Sequence, residues 1–230
     1  MNNVGLPQED LLQINSTFSK IVKRWYGKGP EHCFATFRSD MMVIHVSGFI
    51  TAAEKALMEK DSQTLAYQFR YSIMEKIYEE FNKEMYDLLE ISFSSYHSDW
   101  NFATDTGIIL FQNDASGWTN RHTAPGLKEK LMNQIMDISK DVHQAPANID
   151  VQKLSHKIIA VRCQDALLPI EKLLFSEGYS DILHQQSEEI KKVYRRNRKR
   201  FEAVIGRGIE DIYMIWNYEY EECYLFFCLV

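Results

Sequence analysis

The chain states one pattern twice, 116 residues apart. Pro30 recurs as Pro146, and the pair Trp100-Asn101 recurs as Trp216-Asn217 at the same spacing. Between them Ala53-Glu54-Lys55-Ala56-Leu57 answers to Ile170-Glu171-Lys172-Leu173-Leu174, one residue out of step. One short insertion followed by a compensating deletion accounts for the slip. A period this long exceeds any solenoid unit, so it predicts two tandem copies of one small domain. Residues 1–113 and 127–230 are the expected copies. The stretch between them, 114–126, is rich in Gly, Ser, Thr and Pro, as a linker is.

Each copy reads as helix, hairpin, short helix, long helix, hairpin. Leu11, Ile14, Phe18, Ile21 and Trp25 recur at helical steps, and Gly27 and Gly29-Pro30 stop that helix. Runs of β-branched, aromatic and sulfur side chains at 33–37 and 41–46, joined by Ser39-Asp40, predict a hairpin. Thr51 followed by Glu54 is a capping box for a short helix. Leu65, Phe69, Ile73, Ile77, Phe81, Met85 and Leu88 then trace one apolar face of a long helix, and residues 91–100 and 106–112 form a second hairpin. In copy two the corresponding spans are a helix through Leu127, Leu131, Ile135, Ile138 and Val142, a hairpin at 149–154 and 157–163, a long helix over about 181–204, and a hairpin at 209–216 and 223–230. The fold class is α+β: two tandem helix–hairpin–helix–helix–hairpin domains, each a mostly antiparallel four-stranded sheet with helices packed on one face.

The copies differ most in charge. Residues 1–114 hold 10 basic and 16 acidic residues, and residues 115–230 hold 16 of each. The reversal concentrates on the long helix, where Glu75, Glu79, Glu80 and Glu84 answer to Lys191, Arg195, Arg196 and Arg200. With Lys192, Arg198 and Lys199, the run 191–200 carries seven bases in ten residues. Three uses are open to it: a solvated face, a pairing face set against the acidic helix of the other copy, or a docking face for an anionic membrane or other anionic partner. Tyr194 is its one aromatic residue and the net charge of the chain is −6, so nucleic acid is not an expected partner.

Three segments are distinctive: Gly27-Lys28-Gly29-Pro30; Gly48-Phe49-Ile50-Thr51-Ala52-Ala53-Glu54-Lys55-Ala56-Leu57; and Ser98-Asp99-Trp100-Asn101. In this order and at these separations they resemble the MpsC-like family, the soluble component of a sodium-translocating, membrane-potential-generating system whose membrane partners resemble inorganic-carbon uptake complexes. The resemblance covers about residues 11–113. It is fainter in copy two, which lacks the Gly-Lys-Gly before Pro146 and has Ile215 in place of Asp99. It implies a non-enzymatic cytoplasmic accessory protein at the inner face of a membrane, with a membrane transporter component as partner. Lys28, Gly29, Pro30, Thr51, Glu54, Lys55, Asp99, Trp100 and Asn101 are then the candidate ligand- or partner-binding surface. The family's members are single-copy, so a tandem duplication departs from its pattern and implies a pseudo-dimer with intramolecular pairing, or a homodimer.

Other functions find less support. The seven histidines show no ligand spacing and none recurs between copies, so no metal and no cofactor are expected. No secretory signal opens the chain, no apolar run approaches the roughly 20 residues of a membrane span, and the four cysteines read as free thiols. Cys223 and Cys228, five apart in a strand, face opposite sides. No nucleophile elbow or dinucleotide fingerprint is present. Two alternatives stand beside the binding role: an anion or nucleotide sensor with a cleft between the copies, and a hydrolase or lyase using Glu54 and Asp99 as acid and base.

Overall fold

The computed structural model describes residues 6–38, 41–60, 63–113, 118 and 126–230. The chain divides into two compact units, Met1–Gly117 and Trp118–Val230. Ser39 and Asp40, expected as a turn, and all of the expected linker except Trp118 and Gly126 lie outside the described residues.

The first unit runs α1 (Gln8–Tyr26), β1 (His32–Arg38), β2 (Met41–Ser47), α2 (Ala52–Glu59), α3 (Gln63–Leu89), β3 (Ser95–Asn101) and β4 (Thr106–Gln112). The second runs α4 (Leu127–Ser139), β5 (Asn148–Lys153), β6 (Ile158–Gln164), α5 (Pro169–Ser176), α6 (Ser180–Arg196), α7 (Arg198–Ile205), β7 (Ile209–Asn217) and β8 (Glu222–Leu229). Both sheets are antiparallel with the same order, β1-β2-β4-β3 and β5-β6-β8-β7, so each second hairpin enters beside the inner strand of the first. Ile14, Phe18, Ile21 and Val22 of α1 and Met74, Ile77, Phe81 and Met85 of α3 close over Met42, Ile44, Val46, Ile109 and Phe111 of the sheet. The strands alternate, and the opposite face is apolar too: Met41, Val43, Ile108 and Leu110 are as buried as their neighbours.

The backbone repeats along with the sequence. Three left-handed residues pair across the units: Glu90 with Gly206 and Asp105 with Glu221 at a spacing of 116, and Gly48 with Asp165 at 117. The one-residue slip is visible here. Two residues separate β1 from β2, whereas residues 154–157 separate β5 from β6, and the first strand is one residue shorter in the second unit. The register is 117 across β6 and α5 and returns to 116 by the last hairpin.

Two expectations for the long helices need correction. In α3 the buried stripe starts one residue later than the large apolar side chains suggest: Ala66, Arg70, Met74, Ile77, Phe81 and Met85 face inward, while Leu65, Phe69 and Leu88 are 53%, 37% and 40% exposed. In the second unit the long helix is interrupted at Asn197, between α6 and α7. Asn197 stands where Phe81 fills the first core. Its amide Nδ2 donates to the Val193 carbonyl at 3.0 Å, which is how an asparagine competes with helical hydrogen bonding.

Candidate functional site

The three distinctive segments of the first unit meet at one end of its sheet. The left-handed turn at Gly48 brings its N–H to the Asp105 carbonyl at 2.9 Å, and the Asp105 carboxylate accepts from Phe49 N and Ile50 N at 2.7 and 2.8 Å. Lys28 Nζ donates to the Ile50 carbonyl at 3.1 Å. Trp100 is fitted over Gly107 of the neighbouring strand; a Cβ built on that glycine would lie 2.1 Å from the indole. The other side of Trp100 meets the Phe49 ring, with centroids 4.8 Å apart.

Arg70 lies at the centre of this arrangement, a residue the periodicity of α3 does not single out. Its Nε and Nη2 donate to Glu54 Oε1 and Oε2, both at 2.6 Å. Both side chains are buried, at 1% and 0% exposure. The guanidinium carbon stands 4.1 Å from the Phe49 ring centre and 4.6 Å from those of Tyr26 and Trp100. A cation removed from water survives only with a bidentate carboxylate and ring faces around it. Glu54 also accepts from Thr51 N and Oγ1 at 2.9 and 2.8 Å, completing the capping box of α2. Burial pushes the Tyr26 phenol up, with the Arg70 charge opposing and Glu54 reinforcing.

The nine expected binding residues therefore gather, but not as one surface. Thr51, Glu54, Asp99, Trp100 and Asn101 are all buried, and Gly29 and Pro30 are half-buried. Lys28, Lys55 and the turn residues Ala103 and Thr104 are exposed. Both oxygens of Glu54, one of the two carboxylates expected for acid/base work, are taken up by Arg70 and the cap of α2. The signal for Arg70 was nevertheless present in the sequence: a basic residue at the i+4 step between Ala66 and Met74, 16 residues after a capping glutamate.

The second unit keeps the frame and drops the charge. Glu171 again closes the start of the short helix, accepting from Leu168 N at 2.6 Å. Gln186 stands where Arg70 would, and its Nε2 donates to Glu171 Oε1 at 2.6 Å. Burial raises the Glu171 carboxyl above its ordinary range, with those hydrogen bonds opposing. Cys223 replaces Gly107 opposite Trp216, so the indole cannot lie flat on the strand; it meets His143 edge-on at 5.4 Å. His143 Nε2 pairs with Tyr194 Oη at 2.7 Å, and burial lowers its pKa.

The basic run is not a single face either. Lys191 is fully buried and pairs with Glu188, and Lys192 pairs with Glu189, both at 2.6 Å. Arg195 reaches Asp211 of β7 at 2.9 Å, Arg198 lies 3.6 Å from Glu202, and Arg200 binds Asp137 of α4 at 2.5 Å. Arg196 and Lys199 are exposed. On the acidic side Glu80 takes Arg24 and the Trp25 indole of α1, Glu79 pairs with Lys76, and Glu75 and Glu84 are exposed. One ion pair in each unit ties these helices to the first helix of the unit, at positions that do not correspond: Glu80 of α3 takes Arg24 of α1, and Arg200 of α7 takes Asp137 of α4.

Reactive groups are restrained among the described residues. Burial pushes the Cys33 and Cys163 thiols up to about 12, and Cys228 higher still, so none is a ready thiolate. Among those residues no group of three or more His, Cys, Asp or Glu could hold a metal ion, and no helix is long and apolar enough to cross a membrane. Cys223 faces the helices and Cys228 the other side of β8.

A family model described as the Na+-translocating membrane potential-generating system (MpsC) matches residues 11–114, which is α1 through β4. No curated protein and no solved structure matches the chain.

Proposed function

We propose, from the premise that residues 11–114 belong to the MpsC family, that the chain is a non-catalytic accessory protein working by binding a cation-translocating membrane system at its inner face. The observation that carries this reading is the use made of the family's distinctive residues. Glu54, Thr51 and Trp100 are spent on a buried ion pair and its aromatic cage, which fix three loops at one end of the sheet. That is the economy of a recognition surface: a rigid interior with an exposed rim. Lys28 and Lys55 are the charged members of the rim, and the contact they offer is to an acidic segment of a membrane protein. The second unit, with Gln186 in place of the arginine, has given up the buried ion pair at this end after a duplication of the first.

The test is capture from detergent-solubilised native membranes by the tagged full chain. The expected result is a polytopic cation-translocating protein whose recovery is lost when Lys28→Glu and Lys55→Glu are combined. Both side chains are exposed, so the variant should fold normally. Recovery of no membrane protein, or equal recovery by the double variant, would overturn the reading.

A further inference from the structure

The second unit carries large apolar side chains on the outside of its short helix where the first unit has small ones. Ala53 and Ala56 answer to Ile170 and Leu173. Ile170 and Leu173 are each 54% exposed, three residues apart on one side of α5, and Tyr179 and Ile182 follow at 54% and 50% around the start of α6. Single exposed apolar residues are ordinary; a set on two consecutive helices is the mark of a contact surface.

The patch sits on fixed structure. Gly178, left-handed at φ 79°, ends α5 in a Schellman turn: Gly178 N donates to the Phe175 carbonyl at 3.0 Å and Tyr179 N to the Leu174 carbonyl at 2.9 Å. Phe175 stacks on Tyr218 with ring centres 5.5 Å apart, which pins the corner to the last hairpin. Its exposed charge is acidic. Of the acids in residues 165–190, Glu171 is buried and Glu188 and Glu189 pair with Lys191 and Lys192, while Asp165, Glu177 and Asp181 are exposed. Lys172, the base of this stretch, is paired with Glu221. Glu177 lies on the chain between the two apolar pairs and Asp181 between Tyr179 and Ile182, and both are exposed.

We infer that this corner docks an amphipathic helix of a protein partner, with an apolar face for Ile170, Leu173, Tyr179 and Ile182 and with Lys or Arg along its edges for the acidic frame. Helix recognition reads apolar anchors at three- and four-residue steps, and opposite charges at the rim select the partner and speed its arrival. An anionic lipid surface would meet the same acids as repulsion. The inference rests on the binding role proposed above and adds the chemistry of the partner.

A fluorescein-labelled synthetic helix with a leucine face edged by lysines, titrated into the full chain and read by anisotropy, tests it. A control peptide has glutamate for every lysine. The lysine peptide should bind about tenfold or more tightly than the control, with the advantage shrinking in high salt. Ile170→Ala with Leu173→Ala, which installs the first unit's residues at exposed positions, should weaken it by a further tenfold or so while the circular dichroism spectrum is unchanged. Equal affinity for the two peptides, no binding, an unaffected double variant, or pelleting of the chain with phosphatidylglycerol vesicles would each overturn the inference. Capture of the membrane protein by the Ile170→Ala, Leu173→Ala chain with peptide binding absent would overturn this docking site and leave the function proposed above standing.

Discussion

Replacing Arg70 by alanine should loosen the first unit and leave the second as it was. Arg70 and Glu54 are 1% and 0% exposed, so solvent does not screen the pair, and removal of one partner strands a buried carboxylate at a cost of about 3–5 kcal/mol. Three rings within 4.6 Å of the guanidinium carbon each add roughly 1 kcal/mol, partly overlapping with that figure. A working value of about 4 kcal/mol follows. Arg70→Gln should cost about half as much, because a glutamine can donate to the glutamate as Gln186 does to Glu171 at 2.6 Å. Glu54→Gln combined with Arg70→Gln should cost less than the two single changes together, with a coupling of about 2 kcal/mol. Hydrogen exchange read by mass spectrometry on the full chain localises the effect, since peptides of the second unit are an internal reference. For Arg70→Ala, 4 kcal/mol corresponds to roughly 1,000-fold faster exchange across α2 and α3. Less than a tenfold change, or additive single variants, would refute the ion pair as the organiser of this end.

Two further outcomes can be checked on the full chain. Gly107→Ala drives a methyl group into the Trp100 indole and should destabilise the first unit by about 1–3 kcal/mol, seen as an earlier unfolding step and altered tryptophan fluorescence; an unchanged midpoint contradicts that packing. Burial holds His143 below its ordinary 6.5, so the folded state binds fewer protons than the unfolded one. The stability from His143 is full above about pH 6.5 and lost as pH falls below it. Urea midpoints of the wild type should therefore decline between pH 7 and 5 more steeply than those of His143→Gln, and parallel curves would remove His143 as the cause.

Much of the architecture was legible because apolar periodicity and capping chemistry are local. The helix stop at Gly27, the Thr51–Glu54 box and the order of elements all follow from neighbours a few residues apart. Arg70 was not legible from the same pattern. Leu65 and Phe69 make the more apolar stripe, and only the tertiary match of Arg70 to Glu54 and three rings decides that Ala66, Arg70 and Met74 turn inward. Asn197 hid a helix break in the same way, because helical spacing continues across it. The charge reversal was visible, but its meaning depends on which residues the side chains reach: Asp211 and Asp137 are distant in sequence from Arg195 and Arg200, so the run read as one basic face. The distinctive residues do gather at one end of the first sheet, though most of them build its interior rather than its surface.

The central claim, that the chain recognises a membrane protein and not the lipid, is tested most directly by binding to native membrane vesicles stripped of peripheral proteins. Paired samples would include vesicles treated with protease on the exposed face and liposomes made from the extracted lipid. The account predicts saturable binding to intact vesicles, its loss after proteolysis, and no binding to the liposomes. Equal binding to all three, or binding to none, would contradict it.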